Sequence, residues 1–114
     1  MLGCLFCKIV QKQIPAKIVF EDDKVLAFED VSPQAPVHIL IIPKEHIPTV
    51  NDITEMHKDI LNDMFLVAKN IAKEKNIAMQ GYRLVMNTNA EAGQTVFHIH
   101  MHLLGGRHLT WPPG

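Results

Sequence analysis

The sequence predicts an α+β fold, an antiparallel five-stranded sheet carrying one long and one short helix, and three observations support it. Short runs that are β-branched or alternate apolar with polar residues recur along the chain, as strands do. One stretch, from Asp52 onward, places apolar residues every three or four positions, the period of a helix. The composition, 47% hydrophobic and 20% charged over 114 residues, suits a single core. No linker, repeat or low-complexity tract divides the chain, so residues 1–114 read as one domain.

In chain order, residues 5–11 give the short helix. Residues 18–20 and 25–28 flank Glu21-Asp22-Asp23-Lys24 and read as a β-hairpin. Pro33 and Pro36 interrupt the pattern. His-Ile-Leu-Ile-Ile, residues 38–42, is nearly continuous in aliphatic residues, stops at Pro43, and reads as a buried strand. Ile53, Met56, Ile60, Met64, Val67 and Ile71 then form one stripe of the long helix, with Asp52 and Glu55 placed for a capping box. That stripe is core or subunit contact rather than chemistry. Residues 82–87 and 96–104 supply the last two strands, and Gly105-Gly106 and Trp111-Pro112-Pro113-Gly114 end regular structure.

Charge and hydropathy exclude several functions. Eleven Lys and Arg against twelve Asp and Glu leave a net charge of −1, with no basic stripe to grip nucleic acid. No run approaches the roughly 18 apolar residues of a membrane span, and no signal-peptide pattern stands at the N-terminus, so the expected location is the cytoplasm. In that reducing compartment Cys4 and Cys7 are a metal half-site or spare thiols rather than a disulfide.

Three of the seven histidines, His98, His100 and His102, lie in one short run. On a strand they project from one face, while Phe97, Ile99, Met101 and Leu103 project from the other. A solvated strand face would be served equally well by Lys, Thr or Glu, so three imidazoles at this spacing point to function. Two chemistries stay open: a catalytic metal held by two of them with a third ligand from elsewhere, and covalent catalysis by a neutral imidazole on phosphorus. Just upstream, Asn87 ends a strand and Gly93-Gln94-Thr95 enters the next. Glycine lets backbone approach an anion, and Gln94, Thr95 and neighbouring N–H groups suit phosphoryl oxygens, although such a turn is ordinary by itself.

His-Ile-His-Met-His-Leu-Leu, residues 98–104, resembles the His-x-His-x-His-x-x signature of the histidine-triad superfamily. The resemblance spans essentially the whole chain. CLFCKIV, KQIPAKIVFEDD, AFEDVSPQAPVHILIIPKEHI, GYRLVMN, GQTVFHIHMHLLGGR and the closing WPPG are similar to the nucleotide-binding branch that hydrolyses phosphoramidates.

The resemblance implies a purine nucleoside phosphoramidate hydrolase working through a covalent nucleotidyl-histidine intermediate, with no cofactor required for catalysis. His100 would be the nucleophile, with its other ring nitrogen donating to the His98 carbonyl. His102 and Gln94 would contact the phosphate, with Gly93, Thr95 and Asn87 completing the cradle. His38 and His102 would relay a proton to the leaving nitrogen. Leu5, Phe6, Ile9, Phe28, Val31 and Leu40 would form the base slot, and Asp30 would bind the ribose hydroxyls. The sheet would extend across a homodimer, with Trp111 reaching toward the partner's site. Several bacterial relatives hold a structural zinc, here implying Cys4, Cys7, His46 and His98. Thr95 replaces a serine common among relatives, and Glu29 a histidine found in animal relatives beside the base. A dinucleoside polyphosphate hydrolase, a nucleotide-binding or protein-interaction module with weak catalysis, and a zinc-dependent hydrolase using the triad as ligands are the alternatives.

Overall fold

The structure, a computed structural model, describes residues 3–114. Helix α1 (Leu5–Val10) precedes the strands β1 (Ile18–Glu21), β2 (Val25–Glu29) and β3 (Val37–Pro43); helix α2 (Lys58–Glu74), β4 (Tyr82–Val85) and β5 (Met101–Gly105) follow. The five strands form one antiparallel sheet in the order β1-β2-β3-β5-β4. Among the described residues no helix is long and apolar enough to cross a membrane.

Alternation along the strands divides the sheet into two unlike faces. Val25, Ala27, Ile39, Ile41, Met101 and Leu103 meet Met64, Val67, Ala68, Ile71 and Ala72 of α2 in the larger core. Leu26, Phe28, Leu40 and Ile42 point the other way and meet Phe6 and Ile9 of α1. β3 is therefore buried on both sides, which is why its sequence is aliphatic at consecutive positions rather than at every second one.

The long helix begins later than its apolar spacing predicts, and the Asp52–Glu55 capping box does not form. Thr49 and Asp52 instead cap a short 3₁₀ turn at Val50–Asp52, where the Asp52 carboxylate accepts from the Thr49 N–H over 3.0 Å. Thr54 and His57 cap a second such turn at Glu55–His57. Two local caps thus use up the chain before α2 starts at Lys58, and Met56 is left 92% exposed. Ile60 packs against the core, and Met64, Val67 and Ile71 are buried in it as the stripe predicts.

The last strand is also shorter than predicted: the chain bends at residues 96–98, and ladder pairing starts only at Met101. The stretch after the bend is tied to the chain beyond β3 by the Ile99 N–H, which donates to the Ile47 carbonyl over 2.7 Å. Ile99, Met101 and Leu103 are buried as expected, but Phe97 is 47% exposed and does not join their row.

Candidate active site

The face of the sheet that packs on α1 also carries the imidazoles. Leu40 pairs with His102 and His38 with Leu104, so His38 and His102 are diagonal neighbours on adjacent strands, and their rings meet with Nε2 of His38 2.9 Å from Nδ1 of His102. His100 continues the row, its ring centroid 5.1 Å from that of His102. Phe6 of α1 closes over the other end, edge-on to His100 at 5.0 Å and to His98 at 6.0 Å.

Backbone partners fix which nitrogen of each ring carries the proton, because a carbonyl can only accept and a peptide N–H can only donate. His100 Nδ1 lies 2.8 Å from the His98 carbonyl and must hold its proton, leaving a lone pair on Nε2. His98 Nε2 donates to the Pro43 carbonyl over 2.7 Å, leaving its lone pair on Nδ1. His38 Nδ1 accepts from the Gln34 N–H over 3.0 Å, so its proton is on Nε2. That proton is offered to His102 Nδ1, with an Asp30 carboxylate oxygen 3.4 Å away as a second acceptor. His102 in turn carries its proton on Nε2. No buried side-chain nitrogen or oxygen among the described residues lacks a partner, so the unpaired Nε2 atoms of His100 and His102 both reach open space. A nucleophilic lone pair and an N–H donor thus stand side by side.

Burial keeps these rings uncharged. It lowers the His100 and His38 pKa values, and it pushes His102 down to about 4 with His100 and His38 adding to the effect. A neutral His100 is the form that can attack phosphorus at neutral pH. His38, whose Nδ1 already accepts from Gln34, orients His102 but offers no second lone pair through which a proton could pass.

The structure brings together only part of the expected nucleotide cradle. Phe6, Ile9, Phe28 and Leu40 form one buried cluster, with Phe6 and Phe28 edge to face at 5.5 Å. Leu5 is exposed outside that cluster and joins Thr95 in lining a hollow of about 410 Å³, whereas Val31 is 98% exposed. Asp30 sits beside His38, one carboxylate oxygen accepting from the Ser32 N–H over 2.8 Å and the other turned toward the imidazole. Asn87 is half-buried, and Gly93 adopts a left-handed φ of 90° in the exposed turn that leads to Thr95.

Gln94 departs from expectation. Its amide nitrogen donates to the carbonyls of Pro48 at 2.8 Å and Val96 at 3.1 Å, and its oxygen accepts from the Asn89 N–H at 2.8 Å. Both amide hydrogens are spent, so the side chain shapes the loop and has no donor left for a phosphate.

The other expected cluster assembles beside the triad. The Cys4 and Cys7 sulfurs lie 3.5 Å from His98 Nδ1, Cys7 lies 3.3 Å from His46 Nδ1, and the two imidazole nitrogens are 3.3 Å apart. Around a tetrahedral zinc, bond lengths of about 2.3 Å to sulfur and about 2.05 Å to nitrogen put sulfur–nitrogen pairs about 3.5 Å apart and the nitrogen pair about 3.3 Å apart. All four donor atoms lie within 4.8 Å of one another, and the Pro43 carbonyl orients the His98 ring as outer partners of metal-bound histidines do. The donor set fits a closed, structural metal.

Sequence reasoning missed the Gln34 N–H, the Pro43 carbonyl and the Phe6 ring as neighbours of these imidazoles. The first two are backbone groups with no signature in side-chain identity. Phe6 belongs to the expected base slot, but its edge contacts with His98 and His100 depend on how α1 docks.

The fold matches solved structures throughout. A HIT family hydrolase from Legionella pneumophila superposes with a TM-score of 0.97 at 54% identity, covering 98% of this chain and 100% of that one. A HIT family hydrolase from Clostridium thermocellum gives 0.94 at 48% identity over 96% of each chain. The purine nucleoside phosphoramidase of Escherichia coli K12 is 58% identical over 105 residues, 92% of this chain and 88% of its own length. The HIT domain profile matches residues 11–109, and with these likenesses the chain belongs to the HIT domain family.

Proposed function

We propose that the protein is a purine nucleoside phosphoramidase that works through a nucleotidyl-histidine intermediate on His100. The observation that carries this reading is the His100 ring, with Nδ1 held on the His98 carbonyl and Nε2 open beside the His102 N–H. The Nε2 lone pair attacks the α-phosphorus and a phosphorus–nitrogen bond to the ring forms. The bond to the leaving nitrogen breaks, and that nitrogen keeps the electron pair, takes a proton from solvent and departs as the amine. Water then attacks phosphorus and gives up a proton to solvent, the bond to His100 breaks, and nucleoside 5′-monophosphate is released. The Nδ1–H on its carbonyl stabilises the positive charge the ring carries while bound to phosphorus, and the His102 Nε2–H donates to the phosphoryl group.

The cluster of Phe6, Ile9, Phe28 and Leu40 supplies an apolar wall for a purine, and Asp30 retains lone pairs for ribose hydroxyls. Cys4, Cys7, His46 and His98 would hold a zinc ion, which supplies a cross-link between α1 and the segment before the nucleophile and no part of the chemistry. Both cysteines are free thiols, which suits a reducing cytoplasm. A homodimer through β4 is supported by that strand's place at the sheet edge and by the exposed Phe65 and Leu66 of α2. Arg83 of β4 donates to the Thr110 carbonyl over 2.9 Å, which keeps Trp111 near the same edge, 82% exposed and free to reach a partner.

The test is steady-state hydrolysis of adenosine 5′-phosphoramidate by the wild type and His100→Ala, with and without chelator, beside a diadenosine polyphosphate. Turnover lost with His100, faster on the phosphoramidate than on the polyphosphate, is expected. A folded wild type that binds nucleotide without turnover would instead make the protein a binding module.

A further inference from the structure

The hydrogen bonds behind His102 do not stop at His38. Gln34, whose N–H fixes the His38 tautomer, has its carbonyl, on the next peptide plane, held by Arg107, whose Nε donates to it over 3.0 Å. Arg107 follows β5 on an exposed segment, and its Nη1 donates to the His108 carbonyl over 2.9 Å. Gly106 brings this segment onto the same loop. Its φ is 91°, and a Cβ there would lie 3.0 Å from Cβ of Pro36.

We propose that Arg107 is a positioning residue for the reaction: by holding the Gln34 carbonyl it fixes the backbone on both sides of the Gln34 Cα, and the Gln34 N–H so aimed keeps His38, and through it His102, in the tautomer that presents Nε2–H to the phosphoryl group. The inference rests on the reading of the site as a phosphoramidase. If the Gln34 N–H turns away, His38 Nδ1 can carry the proton and Nε2 becomes a lone pair. His102 Nδ1 then takes a proton to meet it, and His102 Nε2 faces the phosphoryl oxygens with a lone pair. An attraction becomes a repulsion while both rings stay neutral. The first half of the loop has its own restraints, since Asp30 accepts from the Ser32 N–H and the Gln34 side chain donates to the Ser32 carbonyl. Among the described residues Arg107 alone reaches the Gln34 carbonyl.

Long-range proton–nitrogen NMR of uniformly labelled protein reads each tautomer directly. The wild type is expected to show Nε2–H forms at His38 and His102 and the Nδ1–H form at His100. Arg107→Met should mix tautomers at His38 and His102 while leaving His100 unchanged. Its kcat/KM on adenosine 5′-phosphoramidate should fall about 2- to 10-fold, the weight of one ordinary hydrogen bond. Arg107→Lys, which restores one donor, should recover part of both effects, and Gln34→Pro, which deletes the N–H, should exceed Arg107→Met in both. A folded Arg107→Met protein with unmixed tautomers overturns the proposal, as does a tautomer shift without loss of kcat/KM. Were the wild type inactive on the phosphoramidate, the activity reading would fall, and the spectra alone would decide whether Arg107 sets the tautomers.

Discussion

Replacing Cys4 separates a helix cap from a candidate metal donor carried by the same sulfur. Cys4 caps α1 by accepting from the Cys7 N–H over 3.3 Å, and it stands among the four donors that fit a tetrahedral zinc. Serine keeps the cap and discards the thiolate, whereas alanine discards both. An ion present at 100 to 1,000 times its Kd, binding only the folded chain, adds about 2.7–4.1 kcal/mol. For a domain of this size that corresponds to about 10–16 °C in Tm, whereas the cap alone is worth about 1 kcal/mol, or about 4 °C. Scanning calorimetry of zinc-supplied protein, with and without chelator, is the assay. Wild type should lose about 10–16 °C on chelation, Cys4→Ser should sit near the chelated wild type, and Cys4→Ala should melt about 4 °C lower still. Zinc-supplied wild type that melts at one temperature with and without chelator would refute the reasoning from donor spacing.

Three further outcomes follow from the geometry. His100→Ala should abolish phosphoramidate turnover and, by leaving the buried His98 carbonyl without its donor, cost about 1–3 kcal/mol in denaturant unfolding. Burial holds the folded His102 pKa at about 4 against 6.5 when unfolded, so between those values the unfolded chain binds more protons. Stability from neutral His102 is then complete above about 6.5 and is lost as pH falls toward 4, and unfolding curves of His102→Asn should show a shallower loss over that window. At Gly105 an added Cβ would come 2.6 Å from Cδ1 of Ile77, so Gly105→Ala should destabilise at the low end of about 1–3 kcal/mol, measured by urea titration, because that methyl can swing aside.

The sequence made most of the scaffold legible because the sheet uses period-two alternation on β5 and two-sided apolar runs on β2 and β3, patterns that survive without tertiary knowledge. It misplaced the start of α2 because Thr49 and Thr54 form local caps that compete with helix propagation, and an apolar stripe does not record that competition. It extended β5 backward through residues 96–100 because the His-x-His-x-His alternation persists where ladder pairing does not. At the site, the triad could be named from type and spacing, and Cys4 and Cys7 as a half-site or spare thiols, whereas His46 and His98 join them only through the family resemblance. The partner of each ring nitrogen could not be named, because Gln34, Pro43 and His98 act there through their backbone, which is the same for every sequence. Gln94 shows the reverse error, a side chain of suitable chemistry that the loop has already consumed.

The two-faced sheet has a consequence for how this protein tolerates length changes. His102 alternates with Met101 and Leu103 on one strand, so inserting or deleting a single residue within β5 would turn an imidazole into the core and a core side chain into the cleft. Such a lesion cannot yield a stable but slow enzyme, because the same register error empties both faces together. The exposed turn around residues 89–93 lies outside the ladder, and an added residue there leaves the strand phase untouched. Natural length variation in chains built this way is therefore expected to collect before the triad and to be absent within it.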